Sequence, residues 1–209
     1  MFQNVLSPNF IFMLIAIVVS LVLHEFAHAV TADLLGDRTA RNSGRLTLNP
    51  LAHLEILGLL MIFFGPIGWA RPVPVNPNNF RRPRVGMIVT ALAGPGSNFV
   101  LACLFLFIYR VQFLSGSGGA GFLSNLVWIA ALVNINLCIF NLIPLPPLDG
   151  SRVVANLLPL RQRLAYSKLE LYGPFILLLA FILPPVQNYV FSPLFGWFQH
   201  LVTGLFGLT

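Results

Sequence analysis

Charge is what this sequence has least of. Asp, Glu, Lys and Arg make up 9% of its 209 residues, and Lys168 is its one lysine. An ordinary soluble domain carries roughly 25% charged residues, because its surface faces water. Most of this chain's outer surface must therefore face lipid, and no polar stretch is long enough to bury a core of its own. Cysteine is scarce too. Cys103 and Cys138 both lie inside apolar runs, where a thiol behaves as a small hydrophobe. Internal repeats are absent, although many membrane transporters are built on them.

What is present is hydrophobic sequence, 57% of the chain, with a net charge of +6 supplied almost wholly by arginine. The arginines do not form a patch of the kind that binds nucleic acid. They sit at the ends of apolar runs, in the groups Arg38, Arg41, Arg45; Arg71, Arg81, Arg82, Arg84; and Arg152, Arg161, Arg163. That is where cytoplasmic flanks of membrane helices carry them. The expected fold class is an all-α polytopic membrane protein, one membrane-embedded domain over residues 1–209, with no nucleic-acid partner.

Apolar runs cover about 9–35, 56–70, 85–108, 122–143 and 169–183, and an aromatic tail covers 190–208. The first is long enough to span a bilayer, and it lacks the basic flank and cleavage site of a removable signal. The run 56–70 is short, contains Gly65-Pro66, and has arginine-rich stretches on both sides. These features predict a re-entrant segment buried against protein, with a full crossing as the alternative. The tail reads either as a sixth span or as an interfacial helix. With arginines held inside, runs one and four point the same way, toward the cytoplasm.

Run one carries His24-Glu25-Phe26-Ala27-His28. Residues four apart on a helix share a face, so two imidazoles can meet one tetrahedral Zn²⁺. Glu25 is then placed to act as base on a water. Ionisable groups at mid-membrane cost about 2.5–3.5 kcal/mol each or more, and a metal would compensate them. A catalytic zinc needs a third protein ligand and an open position. Asp149, Glu55, His53 and Glu170 are the candidates in or beside the apolar regions.

Run four feeds into Asn141-Leu142-Ile143-Pro144-Leu145-Pro146-Pro147-Leu148-Asp149-Gly150. The two segments together resemble the site-2 protease family of intramembrane zinc metalloproteases. That family pairs a His-Glu-x-x-His helix with a downstream Asn, a Pro three residues later, and Leu-Asp-Gly. Ala93-Gly94-Pro95 with Asn98 is similar to the family's middle core helix. The resemblance implies one catalytic zinc held by His24, His28 and Asp149, with Glu25 as the catalytic base. It is to the minimal subgroup, without a PDZ or CBS domain.

The implied reaction is hydrolysis of peptide bonds in membrane-spanning proteins, near the cytoplasmic face of a cell membrane. A helical substrate must unwind before its carbonyls can be attacked, and the exposed backbone then needs partners. Arg45-Leu46-Thr47-Leu48-Asn49 and Pro72-Val73-Pro74-Val75-Asn76 alternate with period two. They are expected to form a small sheet onto which the substrate adds a strand. Asn141 and His53 are candidates for orienting substrate or standing behind the ligands. The competing readings are an ion-pathway transporter and a non-proteolytic scaffold of the same fold.

Overall fold

The structure is a computed structural model that describes residues 8–53, 55, 71–115 and 121–208. Its frame is three long helices: α1 (Pro8–Leu34), α2 (Pro83–Leu114) and α3 (Phe122–Leu142). All three are long and apolar enough to cross a membrane. Even the shortest, at 21 residues, rises about 31 Å, the thickness of a hydrocarbon core. Runs one and four match α1 and α3 closely, whereas α2 starts near the beginning of run three and continues past its end at Ile108 to Leu114.

Local chemistry sets the helix ends. α2 opens on Pro83, where a missing N–H costs nothing because first-turn amides have no intrahelical acceptor. α3 stops at Leu142, and Ile143 is already extended (φ −60°, ψ 129°), as expected of a residue before proline. Three prolines carry the chain to Asp149, which starts α4 (Asp149–Leu157). A carboxylate in the first turn suits the positive end of the helix dipole. Gly150 makes this turn possible, because a Cβ there would lie 2.2 Å from the Leu142 carbonyl oxygen.

Polar contacts give the helix directions. Ser20 and His28 of α1 meet Asn98 and Thr90 of α2 respectively, so α1 and α2 are antiparallel. Ser20 meets Asn134 of α3, while His24 and His28 meet Asp149 beyond its end, so α1 and α3 run the same way. This matches the relative direction inferred from the arginines.

The described residues after α4 form further helices. α5 (Leu160–Ser167) and α6 (Leu169–Ile182) meet at a 51° bend, and together they are long enough to form a fourth, broken span. α7 (Ser192–Gly204) follows a π-helical turn, Gln187–Phe191. It packs Val202 into the core formed by Ala102 and Leu106 of α2 with Ala131 and Ile135 of α3. Alanines at the crossings let the backbones approach closely.

Among the described residues there is no strand, so the sheet expected from Arg45–Asn49 and Pro72–Asn76 is not formed by them. Pro72 and Pro74 have no N–H to give a ladder. The two stretches meet instead through a side chain, with Arg45 donating from Nη2 to the Arg71 and Pro72 carbonyls. The apolar run read as re-entrant, 56–70, lies outside the described residues.

Candidate metal centre

His24 and His28 project from one face of α1, as the four-residue spacing requires, with ring centroids 4.6 Å apart and planes at 82°. Their Nε2 atoms are 3.0 Å from each other, and each is 3.1 Å from Oδ2 of Asp149. All three residues are buried, none more than 8% exposed. α1 supplies two corners of this triangle, and the turn after α3 supplies the third.

Gly94 of α2 lies against the two imidazoles of the triangle without crowding them. A Cβ there would lie 2.3 Å from His28 Nε2 and 2.6 Å from His24 Nε2. His28 donates from Nδ1 to the Thr90 carbonyl at 2.6 Å. A carbonyl can only accept, so the neutral ring presents a bare Nε2 to Asp149 and His24. Acceptor atoms gathered this closely repel unless a cation sits among them. A tetrahedral zinc with bonds of about 2.0–2.1 Å separates its ligand atoms by roughly 3.3 Å. The observed triangle is within a few tenths of an ångström of that, so the donor set fits zinc.

Electrostatics agree with this geometry. Burial alone would raise the Asp149 carboxyl, and it is held well below the usual carboxylate range only where positive charge or N–H groups face Oδ2, a role that falls to a cation when the imidazoles present bare Nε2 atoms. Asp149 is therefore an anion over the physiological range.

Glu25 lies beside the triangle, 9% exposed, and its Oε2 accepts the Val73 amide at 3.0 Å. Val73 belongs to a strap without regular secondary structure, residues 71–76, held at both ends. Arg45 grips its first carbonyls, and Asp37 accepts from the Asn76 amide at 2.7 Å. Val73 and Val75 pack against Ala29, Ala40 and Leu46. Beyond the strap is a cavity of about 250 Å³, bordered by Val73, Val75, Pro146, Ser151, Arg152 and Tyr166.

The other candidates lie apart from the triangle. His53 is fully buried, and its Nε2 donates to the Thr47 carbonyl at 2.7 Å. Asn141 is half-buried and donates to the Leu137 carbonyl one turn back. Glu55 and Glu170 are exposed, and Glu170 borders the cavity. Sequence reasoning missed the Thr90 carbonyl and the Val73 amide, which carry no side-chain signature. It also passed over Ser20 and Asn134, buried polar residues inside apolar runs. Their rarity in such runs is itself a signal.

The model of "Peptidase family M50" matches residues 111–183. Over 203 residues the chain is 38% identical to "Putative zinc metalloprotease YwhC" of Bacillus subtilis (strain 168), covering 93% of this chain and 90% of that protein. It is 34% identical over 195 residues to "Putative zinc metalloprotease Rip2" of Mycolicibacterium smegmatis, covering 90% of this chain and 73% of that one. It is 31% identical over 207 residues to the Mycobacterium tuberculosis (strain H37Rv) protein of the same name, covering 96% and 74%. No solved structure matches the chain.

Proposed function

The chain belongs to peptidase family M50 and is a membrane zinc metalloprotease; from that premise we propose that His24, His28 and Asp149 hold one zinc ion and that Glu25 is the general base. The observation carrying this reading is the triangle of ligand atoms 3.0–3.1 Å on a side, with Glu25 next to His24 on the same helix. A zinc ion there supplies Lewis-acid polarisation of the scissile carbonyl and lowers the pKa of a bound water toward about 7. Glu25 takes a proton from the attacking water and delivers it to the leaving amine. The Val73 amide holds the Glu25 carboxylate in place through Oε2, leaving Oε1 for that water.

The substrates in this reading are membrane-spanning proteins, cut near the cytoplasmic face. The arginines at 38, 41 and 45, just past α1, and at 71, 81, 82 and 84, just before α2, favour that side. α1 runs toward them and carries its metal-binding pair in its last three turns. An unwound substrate segment would lie along the strap, in the cavity bordered by Val73 and Val75. In this reading the Val75 amide, which has no hydrogen-bond partner among the described residues, pairs with the added strand.

The test combines metal content with cleavage of a membrane-spanning substrate in detergent or vesicles. Wild type should carry one zinc per chain, and His24→Ala or Asp149→Ala should lose it. Glu25→Gln should keep zinc and lose cleavage. Full cleavage by Glu25→Gln, or zinc retained in full by both ligand variants, overturns the reading.

A further inference from the structure

A metal ligand works only if the correct ring nitrogen is bare. For His28 the Thr90 carbonyl decides this directly, because it can only accept. For His24 the partner is Asn98 Oδ1, 2.6 Å from Nδ1, and a side-chain amide can present either oxygen or NH₂. Something else must therefore decide which way Asn98 faces.

The deciding contacts run away from the triangle through three helices. Asn98 donates from Nδ2 to Asn134 Oδ1 at 2.9 Å, and to the Ser20 carbonyl at the longer 3.5 Å. Asn134 donates from Nδ2 to the Ala130 carbonyl and to Ser20 Oγ, both at 2.8 Å. Asn98 and Asn134 are fully buried, and Ser20 is 2% exposed. The Ala130 carbonyl cannot donate. It therefore draws the Asn134 NH₂, which turns the Asn134 oxygen toward Asn98 and the Asn98 oxygen toward His24. If Asn134 turned over, its oxygen would face the Ala130 carbonyl and its NH₂ would face the Asn98 NH₂. The chain of amides then relaxes if Asn98 turns too, opposed only by its long 3.5 Å contact with the Ser20 carbonyl; Asn98 would present NH₂ to His24 Nδ1 and move the imidazole proton to Nε2, where the metal belongs.

We propose that Asn134, which touches no proposed metal ligand, is a positioning residue that sets the Nδ1–H tautomer of His24 through Asn98. Buried partners of metal-binding histidines govern tautomer and ring orientation in this way. The proposal rests on the proposed zinc site only for its purpose, since the tautomer is read in metal-free protein.

The experiment is ¹⁵N-histidine NMR of the metal-free full chain at mildly alkaline pH, with zinc affinity measured separately by chelator competition. In wild type, His24 and His28 should both carry the proton on Nδ1. In Asn134→Leu, His24 should become a tautomer mixture while His28, held by Thr90, stays as it was. Zinc affinity should fall roughly tenfold or more. Asn134→Asp, neutral in this apolar site, can donate O–H to Ala130 and accept from Asn98, so it should keep the wild-type tautomer. A folded Asn134→Leu protein whose His24 keeps its Nδ1 proton overturns the proposal. Should that variant fail to fold, the wild-type spectrum decides, since a His24 Nδ1 without a proton overturns it equally, whatever proton the Nε2 atoms share with Asp149. Failure of the zinc reading would appear separately, as zinc retained in His24→Ala and Asp149→Ala.

Discussion

Gly94 stands against His28 so closely that a methyl group on it would lie 2.3 Å from the imidazole Nε2. The absence of one side chain on α2 is thus a condition for two imidazoles on α1 to converge with Asp149. In a helix interior Ala is favoured over Gly by about 1 kcal/mol, so Gly94→Ala should not weaken α2 itself. It should instead expel the rings, abolishing zinc retention and cleavage with the helix content unchanged in circular dichroism. Gly96→Ala, where nothing lies within 4 Å of an added Cβ, is the control and should behave as wild type.

The same reasoning applies beyond α3. A Cβ on Gly150 would meet the Leu142 carbonyl carbon at 2.5 Å and its oxygen at 2.2 Å. Backbone cannot step aside as a flexible side chain can, so Gly150→Ala should displace the start of α4 and carry Asp149 away from the imidazoles. We expect zinc affinity to fall by at least tenfold while His24 and His28 still bind metal weakly. Chelator competition measures it, and wild-type affinity in Gly150→Ala would contradict the placement of Asp149.

These two glycines show where reading the sequence succeeds and where it stops. The four-residue spacing of His24 and His28 places both rings on one face whatever surrounds them, and long apolar runs predict α1 and α3 nearly to their ends and α2 at its start. Asp149 came from a motif, because no local rule says which turn folds back on which helix. The partners of the site are a different matter. The Thr90 carbonyl and the Val73 amide are backbone atoms, so no residue type announces them. Whether Asn134 points at Asn98 depends on the rotation of α3 about its axis, which packing decides. The strap failed as a predicted strand because period-two alternation says nothing about whether a partner has amides to offer, and Pro72 and Pro74 have none.

Val73 offers a test of the strap that leaves the metal alone. Its amide is the described hydrogen-bond donor to Glu25, at 3.0 Å, and Val73→Pro removes that N–H within a segment that already holds Pro72 and Pro74. A hydrogen bond to a charged group contributes about 1.5–3 kcal/mol, and each 1.36 kcal/mol is about tenfold in rate. We expect kcat/KM to fall roughly tenfold to a hundredfold with zinc content unchanged. Equal activity would mean that Glu25 is positioned by something other than the strap.

Asp37, just past the end of α1, anchors the other end of that strap and links it to pH. It is fully buried and accepts from the Thr39 amide and hydroxyl, the Asn76 amide and Asn79 Nδ2. Burial alone would raise its carboxyl; the four donors outweigh burial and hold it below its ordinary value of 3.8. A carboxylate with a lowered folded-state pKa stabilises the fold above its unfolded pKa, and that contribution is lost as pH falls through the folded value. Asp37→Asn, which turns an NH₂ toward these donors, should cost about 2–3 kcal/mol at neutral pH. The gap between wild type and variant should be constant near neutrality and narrow once the pH drops below 3.8. Thermal unfolding of both proteins across that range measures the gap. A difference that widens toward acid would mean that the donors do not favour the charged carboxylate, and that Asp37 does not hold the strap electrostatically.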